Sequence, residues 1–310
     1  MRGCDMVAAW GSPRTIPFLV AQLYILSAAA CAAGVRQPPA QPELVAPGVI
    51  STDARESPGT FSPDGRDFYF VRDLNSLDGA TIHLSRIHDG EWSPPEVLAF
   101  SGVYGDRDPF ISPDGRRMFF SSNRPAPGKT RPGYDLWMVG RGSDGEWRDP
   151  ERLPEPINTN TDEIRPMVSS DGTLYFRSGR PGNFEAFDFY RSRWDGERYG
   201  PAENLGPLIN QHSQAEGYVS PDERFMLLMI PDSVNWRVVH WAFSEQQRGV
   251  WSRPTLLGPV GGVGARNPSV SPDGFVYFSS RSSGSGDVYR VHIGALGLPG
   301  DVRRALQRRP

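Results

Sequence analysis

Five segments of the chain, each about 50 residues from the next, begin with a short group of acidic, basic or amide residues. Carboxylates can hold a cation or sugar hydroxyls, and arginines can bind a carboxylate or phosphate group. Brought together, such groups could pair as a structural ring of ions, bind a small polar ligand or a cation, or support catalysis. The candidate ligand-binding residues are Glu56, Asp106, Arg107, Asp108, Glu163, Arg165, Glu216 and Arg266.

Motifs of known catalytic or metal sites are absent from the sequence. There is no G-x-S-x-G motif of a serine hydrolase, and the five histidines show no metal-ligand spacing. The two cysteines, Cys4 and Cys31, both precede residue 35, so a cysteine-based zinc site is not available to the rest of the chain. We therefore predict no catalytic residue, no metal site and no cofactor.

The composition predicts a protein built from strands and turns. The 310 residues include 34 glycines and 30 prolines, which argue against a helical bundle because both residues break helices. An aromatic content of 11% argues against disorder. A net charge of −3 argues against nucleic-acid binding, which needs a basic surface.

A turn of the type Ser-Pro-Asp-Gly recurs five times. Proline sets the backbone angle at the first central position of such a turn, the aspartate accepts a local hydrogen bond, and glycine takes the left-handed position. We expect the five aspartates to be structural for this reason. They are Asp64, Asp114, Asp171, Asp222 and Asp273, with spacings of 50, 57, 51 and 51 residues.

Each repeat has room for four short strands. An alternating apolar run follows every turn, then a second β-rich run such as "YDLWMVGR", then an edge motif such as "DGEWSPPEVL". Units of four strands at this period are typical of the blades of a β-propeller. The predicted fold class is therefore all-β, a β-propeller of four-stranded antiparallel blades.

The two ends of the repeat region predict how the ring closes. The fifth unit has no edge motif, whereas Pro42 to Ala46 resembles an edge strand with no strands before it. We expect this N-terminal strand to pair beside Val288 to Ile293 and to complete the last blade. With the N-terminal strand counted as the missing strand of the fifth unit, the sequence predicts five complete blades.

The motifs "SPDG", "D-aromatic" and "DG.W..P..L", and above all "LPEPINTNTDEIRPMVSSDGTLYFRSGRPG", resemble the WD40-like repeat of TolB-type β-propeller proteins. The resemblance covers roughly residues 42–293. It implies a periplasmic or outer-membrane-associated protein of bacteria. TolB-type propellers more often have six blades, so six is the alternative to five.

Residues 1–35 predict export. Arg2 and Arg14 precede an uncharged run from residue 16 to 33 that ends in small residues, which is typical of a signal peptide. Ala28 to Cys31 resembles the lipobox of bacterial lipoproteins, so lipidation of Cys31, soluble export and an uncleaved anchor are all open. A proline-rich spacer covers residues 36–41, the propeller 42–293 and a C-terminal tail 294–310.

The predicted function is that of an exported, non-catalytic binding module. Its expected partner is an envelope protein or a cell-wall-associated molecule, with no nucleic acid, and the membrane is involved only through a lipid anchor; we expect a monomer. The alternative is an enzyme acting on a carbohydrate or lactone at the channel mouth. A ligand site is expected where the innermost strands begin, not at the opposite mouth lined by the Ser-Pro-Asp-Gly turns, because loops that vary between blades are where function usually resides.

Overall fold

The computed structural model describes residues 41–73, 79–126, 129–130, 133–211, 216–232, 235, 238–258, 265–281, 286–298 and 300. The predicted signal peptide, Cys31 and most of the predicted C-terminal tail lie outside these ranges. Every described element lies within residues 38–310, which form one compact unit. No helix of the described ranges has the length and apolar character needed to cross a membrane.

The described elements are nearly all strands, with one short α-helix, Pro207–Asn210, and one 3-10 helix, Ile293–Leu296. The strands are β1 (Glu43–Leu44), β2 (Arg55–Phe61), β3 (Asp67–Asp73), β4 (Thr81–His88), β5 (Glu91–Trp92), β6 (Glu96–Val97), β7 (Asp106–Ile111), β8 (Arg117–Ser122), β9 (Asp135–Gly140), β10 (Glu151–Arg152), β11 (Glu163–Val168), β12 (Leu174–Ser178), β13 (Asp188–Ser192), β14 (Glu203–Asn204), β15 (Glu216–Val219), β16 (Phe225–Pro231), β17 (Val239–Gln247), β18 (Val250–Trp251), β19 (Thr255–Gly258), β20 (Arg266–Val270), β21 (Phe275–Ser280) and β22 (Asp287–His292).

These strands form five antiparallel blades, each of four main strands, which confirms the predicted propeller. Blade one is β2-β3-β4-β6, blade two β7-β8-β9-β10 and blade three β11-β12-β13-β14. Blade four is β15-β16-β17-β19, with β5 and β18 as short additions to blades one and four. The innermost strands β2, β7, β11, β15 and β20 contact one another around the axis, and β2 meets β20 where the ring closes.

Blade five is closed by the N-terminal strand, as the sequence predicts. Its order is β1-β22-β21-β20, and Glu43 and Leu44 pair with Arg290 and Tyr289. The prediction of five blades is therefore confirmed, and the alternative of six is not found.

Five hydrophobic clusters fill the five gaps between neighbouring blades. Each arises because alternate side chains of a strand point to opposite faces of its blade, where they meet the next blade. In blade three, for example, Phe176 packs toward blade two and Tyr175 toward blade four. The packing between blades thus fixes the blades around a central channel.

The repeated turn joins the innermost strand of each blade to the second strand. In blade one the Ser62 hydroxyl donates to Asp64 at 2.5 Å and accepts from the backbone N–H of Asp67 at 2.9 Å. Gly65 takes the left-handed conformation with φ of 73°. The serine–aspartate bond recurs in all five blades, so the aspartates have the structural role predicted from the sequence.

Candidate functional site

Three of the predicted site residues, Glu56, Asp106 and Glu163, are fully buried at the start of the innermost strands of blades one to three. Each carboxylate pairs with an arginine that ends the second strand of its own blade or follows it. The nitrogen–oxygen distances are 3.1 Å for Arg72–Glu56, 2.8 Å for Arg124–Asp106 and 3.6 Å for Arg180–Glu163.

Hydroxyl groups complete these buried pairs. Thr52 donates to Glu56 at 2.5 Å, Ser101 to Asp106 at 2.9 Å and Thr159 to Glu163 at 2.7 Å. Burial raises the pKa of Glu56 and of Asp106, although these hydrogen bonds and the arginines act in the opposite direction. The contacts place all three carboxylates in the structural ion-pair role that the sequence left open.

The innermost strands of blades one, two, three and five carry a β-bulge near their start. Three bulge residues other than glycine adopt positive φ: Asp108 at 54°, Arg165 at 58° and Asn267 at 57°. An extra residue in one strand turns side chains away from the regular alternation. All three residues line the neck of the central channel.

We call this end of the channel, where the innermost strands begin, the entry mouth. Its charged residues form a network across four blades. Arg165 lies 2.9 Å from the Glu216 carboxylate and 3.9 Å from Asp108, and Arg266 reaches Glu216 at 3.4 Å. The backbone N–H of Asn267 also donates to Glu216. Burial lowers the pKa of Arg165, but the negative charges of Glu216 and Asp108 raise it by more. The pKa of Arg165 is therefore above its ordinary value.

Two further arginines that belong to the first or second strands of blades two and three have no carboxylate within 4.0 Å among the described residues. Arg107 stacks its guanidinium 3.6 Å from the centre of the Tyr134 ring. Arg177 is 7% exposed, and its one hydrogen bond to a described residue goes to the carbonyl of Phe187 at 3.2 Å. The Nε atoms of both arginines are buried and have no hydrogen-bond partner among the described residues. Burial, and then the charge of Arg165, lower the pKa of Arg177 to about 10.

The channel is divided by Phe110, which packs against the clusters between blades two and three, three and four, and four and five. On the entry side the neck has a volume of about 40 Å³ and is lined by all five blades. At the opposite end, which we call the turn mouth because the Ser-Pro-Asp-Gly turns surround it, a cavity of about 480 Å³ opens. The larger of these two axial spaces is thus at the mouth where we did not expect a site.

The structure therefore divides the eight predicted residues. Asp108, Arg165, Glu216 and Arg266 meet in one network, Arg107 stacks on Tyr134, and the other three are buried within their blades. The prediction omitted Arg177. A signal for it exists, because the equivalent second-strand positions in the other blades are uncharged: Val71, Ser121, Met229 and Ser279.

Comparisons with known proteins find similar structures but no sequence family. No protein-family profile and no curated protein matches the chain. A candidate TolB from Agrobacterium tumefaciens is 19% identical, covers 77% of this chain and 90% of its own, and has a TM-score of 0.41. A family 117 glycoside hydrolase from the marine bacterium Zobellia galactanivorans is 12% identical over 84% of this chain and 94% of its own, with a TM-score of 0.50.

A prolyl endopeptidase structure is 18% identical over 79% of this chain, with a TM-score of 0.39. The chain spans only 35% of that protein's length. At such identities the similarity concerns the fold, and propellers with different activities share it. The geometry of the chain itself shows a five-bladed β-propeller with a charged entry mouth.

Proposed function

We propose that this protein is a non-catalytic binding module of the bacterial cell envelope, and that its entry mouth holds an anionic group of its partner. The group would be a carboxylate or a phosphate. Arginine suits both, because its planar guanidinium can donate two parallel hydrogen bonds to either.

The observation that carries this proposal is the excess of positive charge at the entry mouth. Arg177 is buried close to the network of Arg165, Arg266, Asp108 and Glu216, so three arginines share the two carboxylates of that network. An unpaired buried charge is costly, and replacing such groups by apolar ones is often stabilising. An anion bound beside Arg165 would supply the negative charge that the mouth lacks.

The size of the neck supports a partner that inserts only a small group. A volume of about 40 Å³ accommodates a few water-sized groups. A side-chain carboxylate or one face of a phosphate fits such a space, while the rest of the partner would lie on the surrounding rim. Arg266, which is 44% exposed at that rim, is placed to contact it.

The same contacts weigh against the alternative of an enzyme acting on a carbohydrate or lactone. Such an enzyme needs a carboxylate that can exchange a proton with its substrate. Glu216 is bound by Arg165 and Arg266, and Asp108 accepts from Ser121 at 2.9 Å. Both mouth carboxylates are thus engaged by neighbouring groups.

The envelope location in this proposal rests on the sequence of residues 1–35. A basic start, an uncharged run and small residues at its end are typical of exported proteins. A binding module exported in this way would meet envelope proteins and cell-wall-associated molecules, many of which carry carboxylates or phosphates.

The test is to replace the unpaired arginine. We expect Arg177→Met to leave the free energy of unfolding unchanged or higher, because it removes an unpaired buried charge. Binding of inorganic phosphate and of acetate, followed by titration calorimetry, should weaken about fivefold or more. Capture of partners from the native envelope should fall in parallel.

Arg180→Met is the matched control, because Arg180 is also partly buried but pairs with Glu163. We expect it to lower stability and to leave anion binding by the folded protein intact. If Arg177→Met instead destabilises the protein and anion binding is unchanged, the arginines are structural. Hydrolysis of a lactone or glycoside that Glu216→Gln abolishes would favour the enzyme instead.

A further inference from the structure

The cavity at the turn mouth is separate from the entry mouth and differs from it in chemistry. Its volume of about 480 Å³ lies within the range of small-molecule sites, about 300–1,000 Å³. Phe110 and Tyr218 contribute to its lining, and Phe110 closes the channel behind it. A ligand there would not need to contact the arginines of the entry mouth.

The apolar part of the cavity wall comes from prolines and aromatic side chains. Four prolines come from the same position of the repeated turn, Pro63, Pro113, Pro221 and Pro272. Together with the aromatic side chains, these rings present carbon surface to a ligand. Removing apolar surface from water is the main favourable contribution to binding in such a site.

The polar groups of the cavity are mainly hydroxyls, from Thr60, Ser62, Ser112, Ser170 and Ser269. In blade three Ser170 occupies the position that proline has in the other four turns. Its hydroxyl therefore offers a hydrogen-bonding group on one side of the cavity. Ser269 also lines the cavity, and its hydroxyl can donate a hydrogen bond to a ligand or accept one from it.

The charged side chains at this cavity are acidic. Asp222 is the one charged residue in its lining, and no arginine, lysine or histidine is among the described residues that line it. The equivalent aspartates of the other four turns are exposed around it. Arg66, Arg116 and Arg224 follow three of the turns but are not among the described residues that line the cavity. The one charged side chain of the described lining that an anion would meet is therefore a carboxylate.

We infer that the turn mouth is a second binding site, and that it takes an organic cation with an apolar body, such as an alkylammonium or alkylguanidinium group. The apolar part would lie against the prolines. The cationic head would lie near Asp222 and over the face of Phe110 or Tyr218, because aromatic faces attract cations. An ammonium hydrogen could be donated to the Ser269 hydroxyl.

The test compares three probes that share one carbon chain and differ in charge: n-hexylammonium, 1-hexanol and hexanoate. Binding to the full protein is measured by titration calorimetry and by chemical-shift changes at Ser269 and Asp222. We expect hexylammonium to bind about fivefold or more tightly than hexanol, and hexanoate to bind weakest.

Two variants locate the site. Asp222→Asn should weaken hexylammonium binding about fivefold and leave hexanol binding unchanged. Asp273→Asn is the matched control, because Asp273 caps the same kind of turn through Ser271 but does not line the cavity. Both variants lose the same type of turn contact, so their melting temperatures should fall alike while their hexylammonium affinities differ.

Three results would overturn the inference. Equal affinity for hexylammonium and hexanol would show that charge is not recognised. Equal effects of the two asparagine variants would place the cation elsewhere, and the absence of chemical-shift changes at the cavity would do the same. Loss of phosphate binding in Arg177→Met with retained hexylammonium binding separates this site from the entry mouth.

Discussion

The guanidinium of Arg290 donates to the carboxylate of Glu43 at 3.2 Å, across 247 positions of the chain. The pair is partly exposed and lies on the strand that closes the ring. Beneath it Val45 and Ile50 are 2% and 0% exposed in the cluster between blades five and one. The ends of the propeller are therefore held by packing as well as by pairing of β1 with β22.

Deletion of residues 36–50 should destabilise the ring strongly. It removes β1, exposes the edge of β22 and takes Val45 and Ile50 out of their cluster, each contributing about 1.5–3 kcal/mol. Denaturant unfolding measures the loss. Glu43→Gln is the control and should cost less than about 1 kcal/mol, since exposed ion pairs contribute little. A deletion variant as stable as the parent would show that β1 does not lock the ring.

His83 should make the fold sensitive to acid. Burial, and then the charge of Arg72, lower its pKa to about 4, below the ordinary value near 6.5. Because the folded-state pKa is depressed, the neutral ring contributes stability that is complete above about pH 6.5 and is lost as pH falls toward 4.

The expected loss between those pH values is about 2–3 kcal/mol in the free energy of unfolding. His83→Phe, which retains a ring for stacking on Phe70, should flatten the curve in this window. His88→Gln, at a side chain 90% exposed, should reproduce the parent curve. An unchanged pH dependence in His83→Phe would contradict the assignment.

Glu223 occupies the turn position at which the other four blades have glycine. Its φ of 54° is left-handed, which costs a residue with a Cβ atom about 1 kcal/mol. Glu223→Gly should therefore raise the free energy of unfolding by about that amount, read from thermal or denaturant unfolding. Gly274→Ala, at a φ of 85°, should lower it. Destabilisation by Glu223→Gly would mean that the glutamate side chain contributes more than its backbone strain removes.

The N-terminal prediction is tested by the mass of the mature protein. We expect residues 1 to about 30 to be absent after export, because their pattern is typical of a signal peptide. A diacylglycerol adduct on Cys31 would identify a lipoprotein, and Cys31→Ser should then release the protein from the membrane. A mature species that still carries Met1 would refute cleavage.

The sequence by itself determined the propeller, the number of blades and the strand that closes it. These features follow from local physics: turn residues that set the backbone, and an alternation of apolar residues that assigns each strand its two faces. The missing edge motif at one end and the extra one near Pro42 were enough to predict that Pro42 to Ala46 pairs beside Val288 to Ile293, and in the structure Leu44 pairs with Tyr289.

Only the tertiary structure decided which polar residues reach the channel. Glu56 and Glu216 both lie at the start of an innermost strand, yet one is buried against Arg72 and the other binds Arg165 of the neighbouring blade. The difference depends on β-bulges and on the distance between blades, which no short stretch of sequence encodes. For the same reason Arg177, on a second strand, and the cavity behind Phe110 became visible only when five separate repeats were brought around one axis.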